Sequence, residues 1–159
     1  MHITEPVTLL FEDEMTIRYQ IQEILRLEKQ FEEQGILDEL EAYNPLIFNG
    51  RNFKVTMMIK YADEAERRVA LTKLKGIEDK IGCRLTARKK VYAIADEDLE
   101  RENETKTSAV HFVQFELGQE MAAALKYGVT VSMGVDHLND AISTDIANDT
   151  RAALVADLK

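Results

Sequence analysis

The sequence predicts an α+β protein built on a mainly antiparallel sheet, and three observations carry that class. FKVTMMIKY alternates strictly: Phe53, Val55, Met57, Ile59 and Tyr61 point one way, and Lys54, Thr56, Met58 and Lys60 the other, the period of a half-buried strand. Across residues 53–137 the elements read strand, helix, strand, strand, helix, strand. That is the order of the ferredoxin-like split βαβ motif, whose antiparallel sheet carries helices on one face. Ahead of this core, residues 1–50 hold a short strand and the longest periodic segment of the chain.

Taken in order, VTLLFE, Val7 to Glu12, is a strand. A long amphipathic helix follows. Stepping about 100° per residue from Ile17 gathers Ile17, Ile21, Ile24, Leu25, Leu27 and Phe31 into one arc, predicted to face the core. Asp13 is its predicted N-cap and Gly35 its C-cap. A second helix, about Ile36 to Ala42, stops before Asn44-Pro45. Glu28 falls near the centre of the apolar arc. Either it is paired or lies where the core opens, or it is a site carboxylate that binds a cation.

After the Asn49-Gly50 turn and the Phe53 strand, Asp63 and Glu66 form a predicted capping box. The helix behind them puts Ala70, Leu74, Ile77 and Ile81 on one stripe and is predicted to stop at Gly82. CRLTARKKVYAIADED is one strand bent at Arg88-Lys89-Lys90, or two short strands, and ERENETKT is a surface segment. SAVHFVQFEL is a strand, GQEMAAALKYG a helix closed by Gly128, and VTVSMGVDH the last strand, with Val129, Val131, Met133, Val135 and His137 on one side. From Leu138 a polar tail runs to a short helix, NDTRAALVADLK, capped by Asn148 or Asp149. Right-handed crossovers place the Phe53 and Ser108 strands in the middle of one sheet. The N-terminal strand and long helix then extend the sheet edge or cover its open face. The whole, 1–159, reads as one domain: N-terminal strand and helix to residue 50, core over 51–137, tail over 138–159.

Composition narrows the function classes. The content is 45% hydrophobic and 31% charged, that of a globular protein, with no apolar run near the roughly 20 residues that span a bilayer. MHITEPVTLLFEDE lacks the basic and apolar regions of a secretory signal. The single cysteine, Cys83, excludes an internal disulfide and fits a reducing cytoplasm, where it reads as a packing residue. A net charge of −9 argues against nucleic acid and anionic membranes as partners. No dinucleotide, P-loop, zinc-protease or nucleophile-elbow motif is present.

Three clusters of candidate residues remain. His111 and His137 lie in predicted strands. If both face the helices, they converge with Glu28 and Asp136 into a set that suits Fe, Zn or Mn; against this, the two strands are not neighbours in the split motif, and a buried or strand-end histidine needs no metal. Lys54, Lys60, Arg84 and Arg88 make a candidate anion- or nucleotide-binding face, set against the wet side of a half-exposed sheet. On the long helix, Arg18, Gln22 and Arg26 step by four with Tyr19 beside them, a candidate partner-binding ridge or a solvated face.

Seven segments together resemble an uncharacterised bacterial family, a conserved domain of unknown function: TLLFED (Thr8 to Asp13), RYQIQEILR (Arg18 to Arg26), AYNPLI (Ala42 to Ile47), LKGIED (Leu74 to Asp79), YAIADEDLEREN (Tyr92 to Asn103), KTSAVHF (Lys106 to Phe112) and Asp136-His137. None of them is a catalytic motif. Members of the family are often encoded beside a rubrerythrin-like protein and an iron–sulfur, flavin-linked oxidoreductase. The resemblance therefore implies an accessory role in a redox or peroxide-defence system, with a redox protein as partner. Members also carry a few tens of residues before the first strand. Their absence here implies an uncovered apolar surface and an altered oligomeric state, and a homo-oligomer stays open. The alternatives are a metal-binding protein or metal-dependent enzyme using His111, His137 and a carboxylate, and an anion-binding module.

Overall fold

The computed structural model describes residues 1–44, 47, 49–86, 90–95 and 106–158. Helices and antiparallel strands mix as the α+β class requires. The order is β1 (Val7–Glu12), α1 (Glu14–Glu28), α2 (Glu33–Tyr43), β2 (Asn52–Ile59), α3 (Glu64–Lys73), a 3₁₀ turn (Ile77–Lys80), β3 (Ile81–Leu85), β4 (Val91–Tyr92), β5 (Ile94–Ala95), β6 (Val110–Glu116), α4 (Gln119–Lys126), β7 (Val131–His137), β8 (Asp140–Asp145) and α5 (Asn148–Asp157).

The strands form two sheets rather than one, in the orders β1-β2-β6-β5 and β4-β3-β7-β8. The central antiparallel pair is the expected one: β2 lies against β6, with Met57 opposite His111. The flanks differ from a single split-βαβ sheet. β1 takes the outer edge of β2, with Val7 opposite Ile59, and Ile94-Ala95 takes the outer edge of β6. Both places that β7 and β3 would fill are thus occupied. Those two strands pair with each other instead, Ile81 opposite Val135 through Leu85 opposite Val131. The chain passes between sheets at Ala93: Tyr92 pairs with Gly82 on one side and Ile94 with Gln114 on the other.

Both sheets turn odd-numbered side chains into one apolar cluster. It contains Val7, Leu9, Phe53, Val55, Met57, Ile59, Val113 and Phe115 from the first sheet, and Ile81, Cys83, Leu85, Val131, Met133 and Val135 from the second. Leu71, Leu74, Ile77, Leu125 and Leu154 close it from the helical side. Each fully buried Leu, Ile, Phe or Met contributes about 1.5–3 kcal/mol. Burial pushes the Cys83 thiol up to about 12, so Cys83 packs as a small apolar group and is not a nucleophile.

The even-numbered face of the first sheet is polar where it is buried. Thr8, Glu12, Asn52 and Thr56 are all under 9% exposed. α1 covers this open face, one of the two expected placements. Glu12 accepts from the Thr56 hydroxyl at 2.6 Å and from Gln20 Nε2 of α1 at 3.1 Å. Ile17 and Ile21, the buried residues of α1, stand outside the main apolar cluster.

Several element ends depart from the sequence reading. Asp13 caps α1 as expected, its carboxylate accepting from Thr16 N at 2.7 Å. The helix ends at Glu28, however, with Lys29 in the left-handed region (φ 53°), not at Gly35. Gly35 lies inside α2, where its missing Cβ leaves room for the Gln30 side chain. Asp63 caps α3 through Glu66 N at 2.8 Å. The predicted stripe Leu74, Ile77 and Ile81 is buried, but the helix stops at Lys73 with Leu74 as its C-cap rather than at Gly82; Gly76 (φ 76°) opens the 3₁₀ turn, and Ile81 opens a strand. The polar tail contains β8, which pairs residue by residue with β7 from Asp145 opposite Ser132 to Asp140 opposite His137. α5 begins without a side-chain cap, so neither Asn148 nor Asp149 plays that part. The bend at Arg88-Lys89 and the segment 96–105 lie outside the described residues.

Gly134 makes the β7–β8 pairing so close that a Cβ there would stand 2.5 Å from the Ile142 carbonyl and 3.1 Å from Ser143 Cα. Both obstacles are backbone and cannot turn away. Gly134→Ala is therefore expected to cost about 1–3 kcal/mol, the usual range for overpacking, measured as a lower denaturation midpoint with an unchanged m-value.

Candidate functional site

The buried polar residues of the main core gather at one place that the sequence only half revealed. His111 is on the inner face of β6 and 3% exposed. Its Nε2 lies 3.0 Å from the Ser108 carbonyl and 2.9 Å from Thr107 Oγ1. A carbonyl only accepts, so Nε2 carries the proton. Thr107 Oγ1 donates to Glu78 Oε2 at 3.2 Å, and so receives the Nε2 proton from the other side. Glu78 Oε2 stands 3.9 Å from Nε2 itself. The result is a directed chain, imidazole to hydroxyl to carboxylate, in which Glu78 (7%) and Thr107 (1%) are as deeply buried as the ring. The 3₁₀ turn holds Glu78, and Thr107 N donates to Leu71 O at 3.2 Å, so the relay ties the end of α3 and the 3₁₀ turn to the start of β6, with Thr107 and Glu78 29 residues apart in sequence. Glu78 was missed because a 3₁₀ turn has no apolar periodicity to mark an inward acid.

The other predicted metal candidates have separate surroundings. His137 sits at the end of β7. Asn139 N donates to its Nδ1 at 3.2 Å, and Nε2 donates to Lys75 O at 3.1 Å, which fixes the Nε2–H tautomer. With Asn139 Nδ2 on Lys73 O at 2.7 Å, the β7–β8 turn satisfies carbonyls at and just beyond the end of α3. Asp136 is on the outer surface of the second sheet and accepts from Lys90 Nζ at 2.6 Å and Tyr92 OH at 2.7 Å. Lys90 Nζ also lies 5.5 Å from the centre of the Tyr92 ring. Glu28, the last residue of α1, is exposed, so it escapes the core rather than entering a site. Among the described residues no group of three or more His, Cys, Asp or Glu side chains is placed to hold a metal ion.

The basic candidates are also dispersed. Lys54 is half-buried on the first sheet and bonds Gln114 Oε1, Lys60 is exposed at the end of β2, and Arg84 is exposed on the second sheet. Arg84 is separated from Lys54 and Lys60 because the single sheet that would align them is two. Arg88 is outside the described residues. A groove of ≈ 550 Å³ beside α3, lined by Tyr61, Ala65, Val69, Leu74 and Asn139 among others, is open to solvent.

The helical ridge lies where it was predicted, in solvent. Arg18, Tyr19, Gln22 and Arg26 are all exposed. Arg18 pairs with Glu14 at 2.6 Å and Arg26 with Glu23 at 2.7 Å, both along the helix. The apolar arc opposite does not stay covered. Ile17 and Ile21 are buried, but Leu27, in the last turn of the helix, is 68% exposed, and Phe31, past the left-handed Lys29 and so off the helical arc, is 81% exposed. α2 packs back on α1 and adds Leu37, 49% exposed. The α1–α2 hairpin is thus an arm with an uncovered apolar edge.

The whole chain, residues 1–158, matches the family described as DUF3501, protein of unknown function. The chain belongs to this family. It is also similar to the crystal structure, at 1.90 Å resolution, of a novel protein of unknown function from Burkholderia pseudomallei K96243. The identity is 51% and the TM-score 0.93, over 100% of this chain and 83% of that one. Curated proteins give no match. Among the described residues no helix of this DUF3501 protein is long and apolar enough to cross a membrane.

Two consequences can be measured. Thr107→Val takes from the buried Glu78 carboxylate the hydroxyl that donates to it, while His111 keeps the Ser108 carbonyl, and is expected to lower stability by about 1–3 kcal/mol; Thr107→Ser, which restores the hydroxyl, should recover most of it in chemical denaturation. At the surface, hydrogen bonds from Lys90 and then Tyr92 hold the Asp136 carboxyl below its ordinary 3.8. A carboxyl lowered in the folded state stabilises above that ordinary value and loses the contribution as the pH falls through the folded one. Carbon-13 NMR titration should therefore place the Asp136 midpoint below 3.8, and Lys90→Met should move it upward.

Proposed function

We propose that the protein is an accessory binding protein of a bacterial redox or peroxide-defence system, engaging a protein partner through the α1–α2 arm. The observation that supports this reading is the exposure of Leu27 and Phe31 at 68% and 81% on an arm whose first half is packed. Large apolar side chains clustered on a surface mark interaction sites when they are contiguous. The ridge Arg18, Tyr19, Gln22 and Arg26 runs along the same helix and supplies residue types enriched at interfaces. The redox connection rests only on the gene neighbourhood that the family resemblance implies. Metal-centre and anion-site readings have less support, because their residues stand on separate elements with partners of their own.

Calorimetric titration with the rubrerythrin-like protein and the iron–sulfur oxidoreductase of the same genome tests the proposal. Wild-type protein is expected to bind one of them, and Leu27→Ser with Phe31→Ser to weaken that binding by about tenfold or more, the cost of losing a central apolar anchor. Arg18→Glu with Arg26→Glu measures how far the contact extends along the ridge. Absence of binding to both proteins, or an unchanged affinity in the Leu27/Phe31 variant, overturns it.

A further inference from the structure

The arm carries charge as well as apolar surface, and the charge states what its partner must look like. From Glu23 to Tyr43 there are seven acidic and two basic residues, a net −5 in a chain whose total is −9. More than half of the protein's excess charge is therefore concentrated in one helical hairpin. One of the two cations, Arg26, is bound to Glu23 at 2.7 Å on the same helix. α2 has no Lys or Arg at all. Around Leu27, Phe31 and Leu37 the exposed side chains include Glu28, Glu32, Glu33 and Asp38. The arm is an apolar centre within an acidic rim.

We infer that the arm's partner is a protein surface with an apolar centre rimmed by lysine or arginine, presented as a cationic amphipathic helix or an equivalent patch. The inference rests on the partner-binding reading above and adds the partner's chemistry to it. The apolar centre provides the buried area, and the rim selects the sign of what approaches. Complementary charge raises the encounter rate and weakens with salt, because the rim groups are exposed. A second copy of the chain would bring −5 against −5 at this contact. Anionic lipid headgroups and nucleic acid backbones meet the same repulsion. A cationic protein partner is the occupant for which both parts of the arm are favourable.

The test uses the full chain and two synthetic amphipathic helical peptides with the same leucine face, one bearing lysine and the other glutamate on the polar face. Titration followed by fluorescence should show binding of the lysine peptide and none of the glutamate peptide, with affinity falling between about 0.05 M and about 0.5 M salt. Leu27→Ser with Phe31→Ser, and separately Glu32→Lys with Glu33→Lys, are each expected to weaken the lysine peptide by about tenfold. These positions are exposed, so unchanged thermal unfolding establishes that the variants are folded. Equal binding of both peptides, failure of the lysine peptide to bind, or indifference to either variant overturns the inference. So does sedimentation of the wild type as a dimer that the Leu27/Phe31 variant dissociates, which assigns the face to a second copy. The two readings are separable. A redox partner whose binding is lost in the Leu27/Phe31 variant but indifferent to Glu32→Lys with Glu33→Lys leaves the arm as the binding site and removes the charge rule.

Discussion

Everything else in this fold depends on how the two edges of β2 are filled. β2 is the strand with the cleanest alternation, and it can bond one neighbour on each side. β6 takes one edge through the expected antiparallel pairing, and β1, six residues with an unbroken register, takes the other. Once β1 is there, β7 has no place beside β2, and Ile94-Ala95 likewise closes β6 to β3. Two apolar strands without a partner cannot leave their backbone groups unpaired inside a core. Their mutual pairing creates the second sheet, and the crossing at Ala93 ties the sheets together. A sheet of four strands thus becomes two sheets around one cluster, without changing the order in which the elements follow one another.

The same constraint decides where α1 goes. With the odd face of the first sheet committed to the core, the helix that follows β1 covers the even face, where Glu12, Thr56 and Gln20 form a bonded group. A polar floor asks little apolar cover from the helix above it. Two isoleucines are buried there, Ile24 and Leu25 are half-buried, and Leu27 at the helix end is exposed. Glu28, which looks misplaced on a helical wheel, is therefore in its proper environment: it belongs to the part of the arc that stands in water.

Legibility in the sequence follows from how local each cause is. β1 and the Asp13 and Asp63 caps were read to the residue because strand alternation and capping are decided within a few positions. Strand β2 was read to within two. β8 was not legible. DAISTD has one large apolar residue and becomes a strand only because β7 offers it an edge and Gly134 lets it approach. The end of α1 was misplaced because two signals competed, and Lys29 accepted a left-handed conformation that glycine usually takes. Of the site residues, His111 was legible as a strand histidine but not as to its face, because apolar residues stand on both sides of it, and Glu78 and Thr107 were not legible, since neither lies on a periodic face. The separation of Lys54 from Arg84, and of His137 from His111, followed from the second sheet and so could not be seen before it.

The two polar features that survive this comparison differ in kind, and the difference assigns their roles. The Glu78–Thr107–His111 relay is sealed, with each member 7% exposed or less, and it joins a 3₁₀ turn, the approach to β6 and β6 itself. A buried group of this sort holds segments in register, and removing the Thr107 hydroxyl takes away the donor that reaches the buried Glu78 carboxylate. The arm is the reverse: its acids contact water, its apolar residues contact little, and its detachment from the main cluster costs the core nothing. Leu27 and Phe31 are both largely exposed, and exposed apolar side chains mark interaction sites where they form a contiguous patch. On the reading proposed above, the acidic rim would disfavour a second copy of the chain and favour a surface of opposite charge. The protein thus keeps a bonded polar group inside and carries large apolar side chains on the arm outside.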